Sequence, residues 1–501
     1  MKDLVSSFLS KKNINNEEDI KFENYIKGEA KLNSEKQYII ESSCYFDGNK
    51  DNFKRHYDEN KILEIHLNNM VFEEDLSFDN VKKLSLIIND NVKFNKLFIN
   101  NCNELYLQFN GRVEVIDKIS INNCKFKQIS INNHIDGNIE FQKCEFNDFN
   151  LYGFSNATIK GAFTFDFCEL KEKVNFMNFE FENKVSFKMS KFKDNVYFNN
   201  SHFKDYAYFH ECEFEKTACF YGVRFDKAPN FSQAIFKGNL NAVNANLNFT
   251  FDDLQERIKQ EYEDFNKNIE NKKSLDKFAN DFRDSFRTFK SSLIKDNNAL
   301  DASNFHKYEL YCKEIELKNK KGKTFKDVVD RWQLLFYRKL CDHHTDILQS
   351  LNSLILVIGI FVISSVAMVV GFNYSLGYKP ILEHWYFSLD FYNHHINSII
   401  QDNCLLMIFV NLMILFIYLG LVGFALCLKY MREFFIIISY VITFLVLAVS
   451  PKILIPAMGI FTDKRALLDP LSVFGGIYTL IFAFIVYSFV KTIRKNSIVP
   501  S

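Results

Sequence analysis

The strongest candidate metal ligands in this 501-residue chain are two trios: His343, His344 and Asp346, just ahead of a long apolar run, and Asp390, His394 and His395, between two such runs. A zinc centre needs at least three protein ligands converging on one point. Adjacent histidines on an α-helix diverge by about 100°, so His343 and His344 do not both face one ion. Neither trio is therefore taken as a site, and no metal or cofactor is expected. The eleven cysteines contain no CxxC pair, and the polar start Met1-Lys-Asp-Leu does not read as a signal peptide. Disulfides and a zinc site are both disfavoured, and a reducing cytoplasm is expected for this half. No Ser-His-acid arrangement, phosphate loop or dinucleotide fingerprint occurs, so catalysis has no support.

The elements that would have to position any chemistry are set by an eleven-residue period. One aromatic series runs Phe165, Phe176, Phe187, Phe198, Phe209, Phe220, Phe231; a second runs Leu170, Phe181, Phe192, Phe203, Phe214, Phe225, Phe236. Two places before most anchors stands a small or β-branched residue, among them Val174, Val185, Val196, Ala207, Cys168, Ser190 and Cys212. Steps of five and six fit neither a lone amphipathic helix nor a hairpin. They suit a chain that turns a corner every five or six residues and stacks coil on coil, with each aromatic over its counterpart one coil below. Cys124, Cys144, Cys168 and Cys212 fall at the small position and are expected as core filler. A meander of short antiparallel strands is the competing fold, and a strict period over seven units argues against its loops.

Val185-Ser-Phe-Lys-Met-Ser-Lys-Phe192, Val196-Tyr-Phe-Asn-Asn-Ser-His-Phe203, Ala207-Tyr-Phe-His-Glu-Cys-Glu-Phe214 and Asn230-Phe-Ser-Gln-Ala-Ile-Phe236 resemble the pentapeptide-repeat proteins in their phenylalanine-rich form. The resemblance implies a right-handed quadrilateral β-helix, with two eleven-residue units to a coil. It carries little information on activity, since these repeats serve unrelated roles. One such role, mimicry of duplex DNA, requires a strongly negative shaft. Residues 139–240 hold 14 acidic and 13 basic side chains, too neutral to imitate a polyphosphate, so no nucleic-acid partner is expected.

The expected organisation is an N-terminal cap, partly irregular, over 1–60, irregular solenoid coils over 61–140, and the regular β-helix over 141–250. A cytoplasmic α-helical adaptor follows over 251–348, then a transmembrane domain of about four spans over 349–492 and a tail over 493–501. The first 35 residues read as a capping helix or as partly disordered. In the adaptor, Phe286, Phe289, Leu293, Ala302 and Phe305 are expected to pack as a helical hairpin, with Arg287 pairing Glu309 across it. Uncharged runs at 351–372, 404–428 and 470–490 are each long enough to cross about 30 Å of hydrocarbon. A fourth at 435–450 continues past Pro451 and Pro456 as a kinked span or a membrane-level loop. Lys318, Lys320, Lys321, Lys323, Lys326, Arg331, Arg338 and Lys339 precede the first span, Lys429 and Arg432 fill the second connection, and Lys491, Arg494 and Lys495 follow the last. Both termini are thus expected in the cytoplasm, at the inner membrane.

Net charge is zero, 61 basic against 61 acidic residues, so no global field draws the chain to a polyanion. The expected function is a membrane-anchored scaffold whose cytoplasmic solenoid face meets a protein partner, with the lipid bilayer as the other partner and homo-oligomerisation open. The alternative is a subunit of an ion channel or transporter gated under the influence of the β-helix. The loop 380–392 has no carbonyl-filter text and the spans have no interior charge, both of which weigh against a pore.

Overall fold

The computed structural model describes residues 31–32, 38–40, 44–47, 49, 62–111, 113–131, 135–147, 149–150, 158–267, 272–375, 403–427, 431–449 and 470–496. The chain divides into two compact units, Met1–Gly322 and Lys323–Ser501.

The first unit is a β-solenoid of about eight turns. From residue 169 to residue 219, each coil takes 22 residues and lays down four two-residue strands. Val174–Asn175 lies under Val196–Tyr197, Glu180–Phe181 under His202–Phe203, Val185–Ser186 under Ala207–Tyr208, and Lys191–Phe192 under Glu213–Phe214, all in parallel register. The eleven-residue sequence period is therefore half a coil, and every inward anchor meets its counterpart at i+22. Phe176, Phe198 and Phe220 stack with centroids 5.1 and 5.0 Å apart. Phe187 and Phe209 stack at 5.3 Å, Phe181 and Phe203 at 4.8 Å, and Phe192 and Phe214 at 5.0 Å. Four aromatic columns fill the shaft, and each ring named above is less than 2% exposed. Burying one such side chain is worth about 1.5–3 kcal/mol, and a well-placed ring pair adds about 0.5–1.5 kcal/mol.

Between residues 63 and 142 the same coil is built with longer strands. Here Leu, Ile and Val alternate with polar residues, as in Leu63–Leu67, Lys83–Ile88 and Glu104–Phe109, a pattern that suits continuous strands with one buried face. Met70–Asp79, Val92–Asn100, Val113–Asn122 and Ile135–Gln142 pair in sequence, with register breaks at Phe72/Asp75, Phe94/Lys96 and Asp136/Asn138. Such a break bends a strand. The bend becomes a full corner one coil on, where Ile135–Gln142 is covered by two strands, Thr158–Ile159 and Phe163–Asp166. Lys125–Ile131 is likewise followed by Glu145–Phe146 and Phe149–Asn150. At the other end, Tyr38–Ile40 and Cys44–Asp47 pair on Met70–Asp79; residues 1–30, part of the expected cap, lie outside the described residues.

Three helices close the C-terminal end: α1 (Phe251–Asn266), α2 (Leu275–Lys295) and α3 (Ala299–Asn319). Phe289 of α2 sits 4.7 Å from Phe231 and 5.8 Å from Phe220, and Phe305 of α3 stacks on it at 5.2 Å. The hairpin thus continues the aromatic columns. It also occupies the open strand edge, which would otherwise present unpaired backbone groups. Tyr308 donates to the Leu247 and Phe249 carbonyls at 2.9 and 3.2 Å, Ser292 donates to the Leu240 carbonyl, and Asp301 accepts from the Asn244 N–H at 2.8 Å.

The second unit holds α4 (Phe325–Cys341), α5 (Ile347–Ser375), α6 (Cys404–Cys427), α7 (Met431–Val449) and α8 (Pro470–Asn496). Among the described residues three segments are long and apolar enough to cross a membrane, Ile347–Met368, Cys404–Leu426 and Val473–Lys495. By length and composition they mark a membrane protein. Four spans were expected. The uncharged part of α7, after Arg432 and Glu433, is only about 24 Å long at the rise of an α-helix, short of the hydrocarbon thickness. Its expected continuation at 450–460 lies outside the described residues. Phe361 of α5 stacks on Tyr478 of α8 at 3.8 Å, and Tyr418 of α6 meets Phe474 edge-on at 5.0 Å. At Gly359 a Cβ would lie 2.2 Å from Ser439 Oγ, so the missing side chain is what lets α5 and α7 approach.

Candidate interaction surfaces

The trio ahead of the first span falls in a different local structure from the one its sequence suggests. The α-helical adaptor was expected to run to residue 348, but α4 ends at Cys341, and Asp342, His343 and His344 follow with φ of 47, 56 and 66°. Asp and His are among the residues that tolerate this left-handed region. His344 Nδ1 lies 3.1 Å from Thr492 Oγ1 and 3.5 Å from both Cys341 Sγ and Ser488 Oγ, while Asp346 accepts the Gln349 N–H at 2.8 Å. Burial, with Lys491 and Lys495 nearby, pushes His344 down to about 4, and burial pushes the Cys341 thiol up. At neutral pH both partners are uncharged, unlike an activated thiolate–imidazolium pair. The contact ties the turn to α8. No group of three or more His, Cys, Asp or Glu that could hold a metal occurs among the described residues, and Asp390, His394 and His395 lie outside them.

The small inward positions do more than fill space. Cys124, Cys144, Cys168, Ser190 and Cys212 stand one coil apart, each donating to a carbonyl one coil below: Ile99 at 3.6 Å, Ile121 at 3.3 Å, Phe141 at 3.5 Å, Phe165 at 2.6 Å and Phe187 at 2.7 Å. All are buried, and the cysteines are free thiols. Burial pushes Cys168 and Cys212 above the ordinary thiol range, so these two thiols act as weak hydrogen-bond donors.

In the hairpin, Glu309 accepts from Arg287 at 3.3 Å, as expected, and also from Lys290 at 2.5 Å and from His306 at 3.0 Å. Burial alone would raise its pKa; the three donors outweigh burial and hold it at about 2. Sequence spacing missed Arg257. Its side chain is 2% exposed, lying 4.1 Å over the Tyr206 ring and 4.4 Å over the Tyr208 ring, with Glu261 as its ion-pair partner. This cation–π clamp holds α1 on the solenoid flank.

On the outer surface, charges of opposite sign alternate from coil to coil: Lys193–Glu215 at 2.7 Å, Lys227–Asp205 at 2.6 Å, Lys216–Asp194 at 3.0 Å. Each exposed pair contributes about 0–1 kcal/mol, and together they intersperse the two signs along these coils. Two corner columns stand out by conformation. The residue two places after each first-series anchor adopts left-handed φ, once every half coil. One column reads Asn178, Asn200, Gly222, Asn244, residues suited to it; a Cβ on Gly222 would meet Asn200 Oδ1 at 2.4 Å. The other begins Asn80, Asn101, Asn123, whose amides bond from coil to coil at 3.1 and 2.8 Å. It then changes to Lys143, Phe167, Met189, Glu211 and Gln233 at φ of 52, 58, 55, 55 and 59°. Phe167 is 49% exposed. Strain of this kind costs about 1–3 kcal/mol per residue and collects at functional surfaces. The departure was legible in the sequence, in the non-Asn residues two after Phe165, Phe187, Phe209 and Phe231.

No curated protein and no solved structure matches the chain. Residues 165–213 match the family model "Pentapeptide repeats (9 copies)"; the chain carries a pentapeptide-repeat β-solenoid, followed by candidate membrane-spanning helices.

Proposed function

We propose that the protein is a non-catalytic docking scaffold of the cytoplasmic (inner) membrane, anchored by about four spans with both termini in the cytoplasm. Its solenoid presents a rigid stripe to a protein partner. The carrying observation is the corner Lys143, Phe167, Met189, Glu211 and Gln233, where side chains ill-suited to left-handed φ stand in a column that uses asparagine nearer the N-terminus. A corner needed only for turning would favour Asn or Gly throughout. Side chains retained against that preference support contact with a partner, and a shaft without internal hinges holds them at fixed coil spacing. The basic residues flanking α5 and α8 support the orientation.

The test is proximity labelling from the full-length protein in its membrane, beside a variant carrying Phe167→Asn, Met189→Asn, Glu211→Asn and Gln233→Asn. The expected result is a reproducible partner set that the variant loses while its solenoid stays folded. A partner set unchanged in the variant would rule out this stripe, and no enrichment over background with the wild-type chain would rule out docking.

A further inference from the structure

The helix α4 is amphipathic, and most of its apolar face is exposed. Phe325, Val328, Val329, Trp332 and Phe336 fall within about 100° of arc at the angular step of an α-helix, and they are 85, 39, 46, 63 and 37% exposed. Asp327, Asp330, Arg331 and Arg338 lie on the opposite side. A capping box between Thr324 and Asp327 starts the helix at Phe325, so its first turn is well formed with the exposed ring in it.

The C-terminal end of α4 is fixed to the membrane helices. Gln349 Nε2 of α5 donates to the Arg338 and Lys339 carbonyls at 2.7 and 2.9 Å, and Ser353 Oγ donates to the Leu340 carbonyl at 2.8 Å. Phe336 lies 5.9 Å from Phe484 of α8. The first candidate span begins at Ile347, six residues after α4 ends. An apolar face of this size is thus tied to the foot of a candidate span. Its charge also fits that place: the stretch 320–339 holds seven basic and two acidic residues.

We propose that α4 lies in the plane of the membrane interface, with Phe325, Val328, Val329 and Trp332 among the upper acyl chains and Lys321, Lys323, Lys326 and Arg331 among the headgroups of anionic phospholipid. A helix with one bulky apolar face, a Trp on it and basic flanks binds an interface in this way. The proposal rests on the membrane-spanning character of α5 and not on the docking stripe, so the failure of either leaves the other standing.

Trp332 is one of only two tryptophans, which gives a direct readout. Full-length Trp385→Phe protein, with Trp332 as the single tryptophan, is placed in nanodiscs of phosphatidylcholine with or without phosphatidylglycerol. The expected result is strong quenching of Trp332 by phospholipid brominated near the headgroup end of the acyl chain, weak quenching by aqueous acrylamide, and a blue shift that grows with phosphatidylglycerol. Lys321→Gln, Lys323→Gln, Lys326→Gln and Arg331→Gln together should remove the phosphatidylglycerol-dependent part and spare the quenching in neutral lipid; each charge should weaken the anionic preference about fivefold. Full acrylamide access without bromolipid quenching would overturn the proposal by placing the face in water. Protection from both quenchers would overturn it in favour of a protein cover, such as a second copy. A phosphatidylglycerol response unchanged in the quadruple variant would overturn the headgroup assignment.

Discussion

In the solenoid, Phe176, Phe187, Phe198 and Phe209 are 0% exposed, whereas in the second unit Phe409, Phe416, Phe434 and Phe444 stand between 58% and 68% exposed on the outside of helices. The same side chain is used in opposite directions because the surroundings differ. Water drives rings into the shaft, where they add to the backbone hydrogen bonds that join coil to coil. Between membrane helices that drive is absent, and small and polar groups join a few buried rings such as Phe361 and Tyr478 in making the contacts. Gly359 against Ser439, Tyr440 donating to Asn352 at 3.0 Å, and Arg432 donating to Ser353 at 3.2 Å are contacts of that kind. Aromatic rings are thus core throughout the shaft, whereas in the second unit they divide between helix contacts and the exposed outer surface.

The sharpest test of that contrast is Phe198→Ala. Its ring stacks on Phe176 and Phe220, so the substitution should cost about 3–5 kcal/mol, read as lost amide protection through the coils on either side. A loss below about 1 kcal/mol would break the stacked-column account. Next in size is Glu309→Gln, expected to cost about 1–3 kcal/mol at neutral pH by leaving Lys290 and Arg287 without their carboxylate. The folded carboxyl is held at about 2 against an ordinary 4.5. Its contribution is therefore full above about pH 4.5 and disappears as pH falls toward 2, so the wild-type protein should lose stability over that window faster than the variant. Parallel acid titrations of hairpin stability would show this, and equal slopes would contradict it.

Phe167→Asn should act in the other direction, gaining about 1 kcal/mol because Asn accepts φ of 58° more readily than Phe. A rise of a few degrees in the solenoid's melting temperature, with weaker partner capture, would separate the docking corner from the packing core. Smallest is Phe416→Ala on a lipid-facing surface, expected to change thermal stability in detergent by less than about 0.5 kcal/mol. A large loss there would mean that the ring packs on protein and that the two units use aromatics alike.

The regular coils were legible because their period is set by local spacing alone: large, two-residue gap, small. The hairpin was legible for a similar reason, its Phe and Leu positions recurring at helical spacing. Arg257 was not, since nothing near it in sequence announces Tyr206 and Tyr208 some fifty residues earlier. The break at Asp342 was hidden by helical periodicity that runs unbroken through it. The strained corner lay in plain text, but its meaning depends on knowing the φ that its Asn counterparts share.

By itself, the sequence determined that this chain coils, with rings inward at every half turn, and that it ends in apolar helices long enough to cross a membrane. Both follow from short-range periodicity and composition, which the chain carries wherever it goes. Tertiary structure decided the rest: which rings stack at i+22, how a bent strand becomes a corner, where Phe289 closes the shaft, and which side chains of α4 stand exposed. Those outcomes depend on residues far apart in sequence meeting at a given register, and register exists only once the coils have stacked.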